Sequence, residues 1–129
     1  MLINFPEGKK VNVFLDKFII KTDQKIENGG ENENPEPFSL FIASIGACTG
    51  FYVLSFCQKR NISTEDITLL LNTKKNRQNN LLEEINIDIK TNELFPDKYI
   101  KPLIKAANLC SIKRQLEDPP KINISLQKK

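Results

Sequence analysis

The sequence predicts an α+β domain with antiparallel strand pairing, and three observations predict it. Two pairs of short β-rich runs are each separated by turn residues. A long apolar segment with helical spacing lies between the pairs, headed by Pro37. A second helical pattern follows Pro96, and a third, shorter one is stopped by Pro119 and Pro120. The coarse order is ββ, α, ββ, α, short α, β, which places helices on antiparallel sheets.

Each element follows from its residues. "KKVNVFLDKFIIKT" reads as a hairpin, Lys10 to Leu15 and Phe18 to Thr22, turning at Asp16-Lys17. "DQKIENGGENENPEP" is rich in Gly, Asn, Glu and Pro, so it reads as a loop over 23–36 without a core of its own. From Phe38 to about Asn61 the apolar residues fall on nearly every side, as in a helix packed all round. Gly46 and Gly50 lie four apart, with Ala43 and Ala47 nearby, so a close neighbour is expected against that face. "ISTEDITLLLNTKK" and "LLEEINIDIKTNE" form the next strand pair, with Ile85, Ile87 and Ile89 alternating with Asn86, Asp88 and Lys90. Arg77 to Asn80 make their turn. "FPDKYIKPLIKAANLC" is helical, with Pro102 near its first turn. "SIKRQLEDPP" is helical to Asp118, and "KINISLQ" is expected to close the fold as a strand carrying Ile122, Ile124 and Leu126 on one face. With no repeat and no interdomain linker, 1–129 reads as a single domain.

Composition excludes several function classes. The chain is 40% apolar and 27% charged, an ordinary globular balance. Its net charge of +3 is spread and interleaved with acids, so neither a nucleic-acid footprint nor a basic block appears. There is no histidine and no Cys-x-x-Cys, which argues against structural zinc, and no glycine-rich phosphate loop. No cofactor is implied. "MLINFPEGKK" lacks the apolar region of a signal peptide, and 38–57 is broken by Ser, Thr and Gly, so a cytoplasmic protein without a membrane span is expected.

Three cysteines remain: Cys48, Cys57 and Cys110. Outside an oxidising compartment they read as catalytic or buried thiols rather than a disulfide scaffold. Cys48 and Cys57 are nine residues apart, half a turn out of phase on the helix. Cys57, between Phe56 and Gln58, reads as a packing residue. Cys48 sits in Gly-Ala-Cys-Thr-Gly, with room beside the sulfur. It lies about three turns into its helix, beyond the reach of that helix's dipole, so a side chain is expected to activate it. Lys113 and Arg114, just after Cys110, are the candidate cations. Spacing alone leaves a functional Cys48/Cys110 pair and three packing cysteines both open.

"PFSLFIASIGACTGFYVLSFCQKRNI", followed some fifty residues on by "AANLCSIKRQLEDPP", resembles the OsmC/Ohr family, the osmotically inducible protein C and organic hydroperoxide resistance proteins. "INFPEGKKVNVFLDKFIIKTDQ" is similar to an OsmC-like branch, so the resemblance spans nearly the whole chain. It implies antiparallel sheets packed on two long helices in an intertwined homodimer, with sites at the subunit interface. It also implies a thiol-dependent protein that reduces organic hydroperoxides. In that role Cys48 is the peroxidatic and Cys110 the resolving cysteine, and a small dithiol or a lipoylated protein is the reductant. The alternative is a non-enzymatic dimer of this fold that binds a small apolar ligand at the interface. The family pattern has an arginine in the N-terminal hairpin and a glutamate after the proline of the central helix. Here the hairpin cations are Lys10, Lys17 and Lys21, Glu36 precedes Pro37, and Ser111 follows Cys110 where many relatives have proline.

Overall fold

The computed structural model describes residues 1–128. The chain divides into two compact units, Met1–Ser44 and Ile45–Lys129.

The first unit is built on a three-stranded antiparallel sheet in the order β1-β2-β3: β1 Leu2–Asn4, β2 Val11–Leu15 and β3 Phe18–Thr22. The predicted hairpin is present with Leu15 opposite Phe18, and Asp16 takes the left-handed conformation (φ 49°) that closes the turn. β1 is an addition to the sequence reading. Its three residues carry too little pattern to announce a strand, and it exists through pairing with β2, Leu2 opposite Phe14. No apolar side chain of this unit is buried. Phe18, Ile19 and Ile20 of β3 are all exposed, while Val11 to Phe14 of the central strand β2 are half-buried.

The segment after β3 is more ordered than its composition announces. Asp23 is buried, and its carboxylate accepts the N–H groups of Gln24 at 2.7 Å and of Glu31 and Glu33 at 3.1 Å each. A 3-10 turn, Ile26–Asn28, lies inside this closure and ends at Gly29, which has φ 82°. Gly30 then passes so close to the chain that a Cβ there would sit 2.0 Å from the Gln24 carbonyl oxygen. Lys10 Nζ gathers the rim, pairing with Glu33 at 2.8 Å, Glu7 at 3.2 Å, and Glu31.

The long helix α1, Pro37–Gln58, begins in the first unit and runs into the second. Pro37 occupies its first position, where the missing N–H is no loss. It ends three residues before the predicted limit because Asn61 turns left-handed (φ 53°) and the Arg60 and Ile62 N–H groups return to the Cys57 carbonyl.

In the second unit, β4 Thr68–Lys75 and β5 Leu82–Lys90 form an antiparallel pair with Leu69 opposite Ile89 and Leu71 opposite Ile87. Asn76 Oδ1 organises the turn by accepting the Gln78 and Asn79 N–H groups. A 3-10 turn, Asp97–Tyr99, leads into α2, Ile100–Ala107, where Pro102 falls in the first turn and is tolerated. A last short helix, α3, covers Ser111–Glu117. Val53, Phe56 and Cys57 of α1 pack with Leu103 of α2 to form the core, bordered by Leu69, Ile89 and Phe95. Arg60 lies over the Phe56 ring at 3.8 Å and closes one end of this core.

Two expectations change. "KINISLQ" forms no strand: 119–128 is without regular structure, and Ile122, Ile124 and Leu126 are exposed. Its alternation suits a strand, but alternation yields one only where a partner edge completes the ladder. α1 is likewise not covered on all sides. Phe51 and Leu54 are exposed, Gly46 meets only Leu71 Cδ1 at 3.4 Å, and Gly50 faces open space. By length and composition, with a mean hydropathy of 1.9, α1 would also suffice to cross a membrane. A core helix meets the same test, and Val53, Phe56 and Cys57 are buried within the protein.

Candidate functional site

Cys48 lies midway along α1, with Ala47 and Thr49 beside it in sequence. The buried Thr49 returns its hydroxyl to the Ile45 carbonyl at 2.9 Å and so stays within the helix. The Cys48 sulfur faces the beginning of α3. Ser111 Oγ lies 3.6 Å from Sγ.

Cys110 is the N-cap residue of α3 and supplies no side-chain cap to it. A helix start leaves backbone N–H groups without intrahelical partners. Here those of Ser111 and Ile112 are directed at the sulfur of Cys48. Burial alone would push the Cys48 thiol up. The Ile112 N–H, the Cys110 thiol, and the hydroxyl and N–H of Ser111 outweigh it and bring the group down to about 7.

The groups that lower the Cys48 thiol come from the start of a different helix, α3, and not from the dipole of its own. The sequence marked that start correctly at Ser111. The missed step was to see that a helix beginning beside one cysteine offers its free N–H groups to another.

Cys57 is completely buried in the core, and burial raises its thiol, with Arg60 opposing. Cys48, Cys57 and Cys110 are all free thiols. Cys110 is buried, and its thiol is among the groups that lower the Cys48 thiol. Lys113 donates to Asn108 Oδ1. Among the described residues, the Arg114 side chain makes no hydrogen bond or ion pair. Neither cation is among the groups that act most strongly on Cys48. Glu36 belongs to the first unit, where it pairs with Lys25 at 3.5 Å. Lys10, the hairpin cation at the start of β2, is taken up by its three glutamates, which hold its ammonium firmly charged.

A cavity of about 470 Å³ adjoins this region. Ile85, Ile87 and Ile89 of β5 and Ile104 of α2 give it apolar lining, while Thr49, Asp88, Lys90, Asn108 and Lys113 make the rest polar. Thr49 follows Cys48, and Asn108 and Lys113 bracket the Cys110-Ser111 corner. No group of three or more potential metal ligands occurs among the described residues.

Antiparallel strand pairs with helices, and a cysteine of the long helix facing the start of a short one, define an α+β class of protein. Within that class the chain belongs to the OsmC-like protein family, whose model matches residues 30–125. The match crosses both units. Curated protein sequences offer no match.

Among solved structures, the chain is similar to a protein of Psychrobacter arcticus described by osmotic stress induction and a detoxification response. The TM-score is 0.74 and the identity 18%, over 88% of this chain and 85% of that one. An organic hydroperoxide resistance protein of Vibrio cholerae, with captopril bound in one of its active sites, aligns at TM-score 0.59 and 15% identity, over 91% and 83%. The organic hydroperoxide resistance protein OsmC of Legionella pneumophila aligns at TM-score 0.55 and 16% identity, over 89% and 85%. At these identities the likeness is one of fold.

Proposed function

We propose that this OsmC-like protein reduces organic hydroperoxides with Cys48 as peroxidatic and Cys110 as resolving cysteine, as a homodimer in the cytosol. The observation that carries the reading is the placement of the Cys48 sulfur against the start of α3, 3.6 Å from Ser111 Oγ, where Cys110 is the N-cap residue. The family setting supports the same chemistry, since two neighbours of like fold are organic hydroperoxide resistance proteins.

The Cys48 thiolate attacks the distal peroxide oxygen, and the O–O bond breaks. Sulfur loses two electrons and becomes sulfenic acid; the alkoxide takes a proton and leaves as alcohol. The Cys110 sulfur, giving up its proton, then attacks the Cys48 sulfur and expels water, which forms the disulfide. An external dithiol, free or carried on a lipoylated protein, returns the disulfide to two thiols and is itself oxidised. A reducing compartment suits this cycle. Thiolate stabilisation falls to N–H, S–H and O–H donors, so Lys113 and Arg114 are not required for it, and Glu36 is given no role.

The four isoleucines of the cavity, set beside Asp88, Lys90 and Lys113, support a peroxide with an apolar substituent and a polar end. The second copy is supported by the exposed apolar side chains of β3 and by the open Gly50, Phe51 and Leu54 region of α1.

The test is turnover of cumene hydroperoxide with dihydrolipoamide. Cys48→Ser should fall to the uncatalysed background. Cys110→Ser should complete one oxidation and stop at a sulfenic acid that dimedone traps. Equal rates for wild type and Cys48→Ser would remove Cys48 from the mechanism.

A further inference from the structure

We infer that the Ser111 hydroxyl is a dedicated hydrogen-bond donor to the Cys48 sulfur, holding it as thiolate in a site that has no histidine. The inference rests on the reading of Cys48 as the nucleophile and goes beyond it by naming the side chain that sets its ionisation.

The chain contains no histidine, so imidazole cannot serve as the base that activates the thiol. The charged groups of α3 are also otherwise placed, because Lys113 is engaged with Asn108 and Arg114 is not among the groups acting on the sulfur. Along α1, Tyr52 follows four residues after Cys48 and is likewise absent from that set. The groups acting most strongly to lower the thiol are the Ile112 N–H, the Cys110 thiol and both donors of Ser111, whose hydroxyl oxygen stands 3.6 Å from the sulfur.

Of these, the Ser111 hydroxyl is the one that substitution can remove without touching the backbone or the second thiol. Its 3.6 Å separation from Sγ is within the range of a hydrogen bond to sulfur. A hydroxyl can orient its proton to whichever state the sulfur is in. Donation to the thiolate favours the ionised form. As the first residue of α3, Ser111 is held by the helix, so the donor is in place before a peroxide arrives.

The experiment uses the full chain and follows alkylation of Cys48 by iodoacetamide against pH, resolved by peptide mass spectrometry. Buried Cys57 serves as an internal slow reference. Ser111→Ala should move the midpoint upward by about half a unit and slow alkylation at pH 6 by about threefold. Ser111→Thr, which keeps the hydroxyl, should restore the wild-type profile. The kcat/KM profile for cumene hydroperoxide should shift with the same midpoint and converge with wild type above it. An unchanged alkylation midpoint in a folded Ser111→Ala protein would overturn the inference. A shifted midpoint in a protein that turns over no peroxide would uphold the Ser111 assignment while removing the peroxidase reading. Peroxide turnover with an unshifted midpoint would do the reverse.

Discussion

Cys48 and Cys57 share one helix, yet burial governs only the second. Cys57 has no donors to offset its surroundings, so its thiol is pushed up. Cys48 meets four donors from the Cys110–Ile112 corner and ends near 7. Asp23 follows the logic of Cys48 in an acid. Burial alone would raise its carboxyl, but the N–H groups of Gln24, Glu33 and Glu31, together with the charge of Lys10, hold it below its usual value. A carboxyl depressed in the folded state stabilises the fold above its unfolded pKa of about 3.9, and that contribution is lost as pH falls through the lower, folded value. Asp23→Asn should therefore lower Tm by several degrees at pH 7, because an amide cannot accept at both ends and carries no charge for Lys10 to meet. The gap between variant and wild type should narrow steadily from pH 4 down to pH 2. A gap that stays constant over that range would show that the carboxylate charge at 23 is irrelevant to stability.

At the scale of elements, the 23–36 segment differs most from its sequence reading. Its Gly, Asn, Glu and Pro content correctly denied it an apolar core. Composition could not reveal that one buried carboxylate would collect N–H groups eight and ten residues away. Gly30 makes this closure possible, since a Cβ would meet the Gln24 carbonyl oxygen at 2.0 Å and the Asp23 Oδ1 at 2.8 Å. The obstacle is backbone, which cannot swing aside, so Gly30→Ala should cost about 1–3 kcal/mol. Thermal or urea unfolding would measure it, and an unchanged midpoint would mean the closure is not needed for stability. The β2–β3 hairpin, the β4–β5 pair, and the stop of α3 before Pro119 were legible because each depends on neighbours close in the chain. β1 and the activation of Cys48 were not. β1 depends on pairing with β2, and Cys48 on donors some sixty residues further on. The tail shows the converse, since the alternation of Ile122, Ile124 and Leu126 is plain while no edge pairs with it.

For the molecule as a whole, apolar burial is unevenly distributed. Every buried apolar side chain among the described residues lies between Ile45 and Cys110, and the first unit has none. A three-stranded sheet needs at least one apolar face covered to be stable, and Phe18 at 59% and Ile19 at 53% exposure point to opposite faces of β3. α1 likewise leaves Phe51 at 61% exposure next to Gly50, whose open side would admit a close neighbour. These exposed surfaces are what the proposed assembly of two copies would cover. Folding should then be coupled to association, so stability depends on protein concentration. Each tenfold increase should add about 1.4 kcal/mol per dimer and raise Tm by a few degrees. Phe51→Asp should lower Tm at every protein concentration by placing a charge in the shared surface. Sedimentation equilibrium gives the decisive mass. A folded species at the single-chain value of 14.8 kDa, with a Tm indifferent to concentration, would mean that the sheet of the first unit is stable without a second copy.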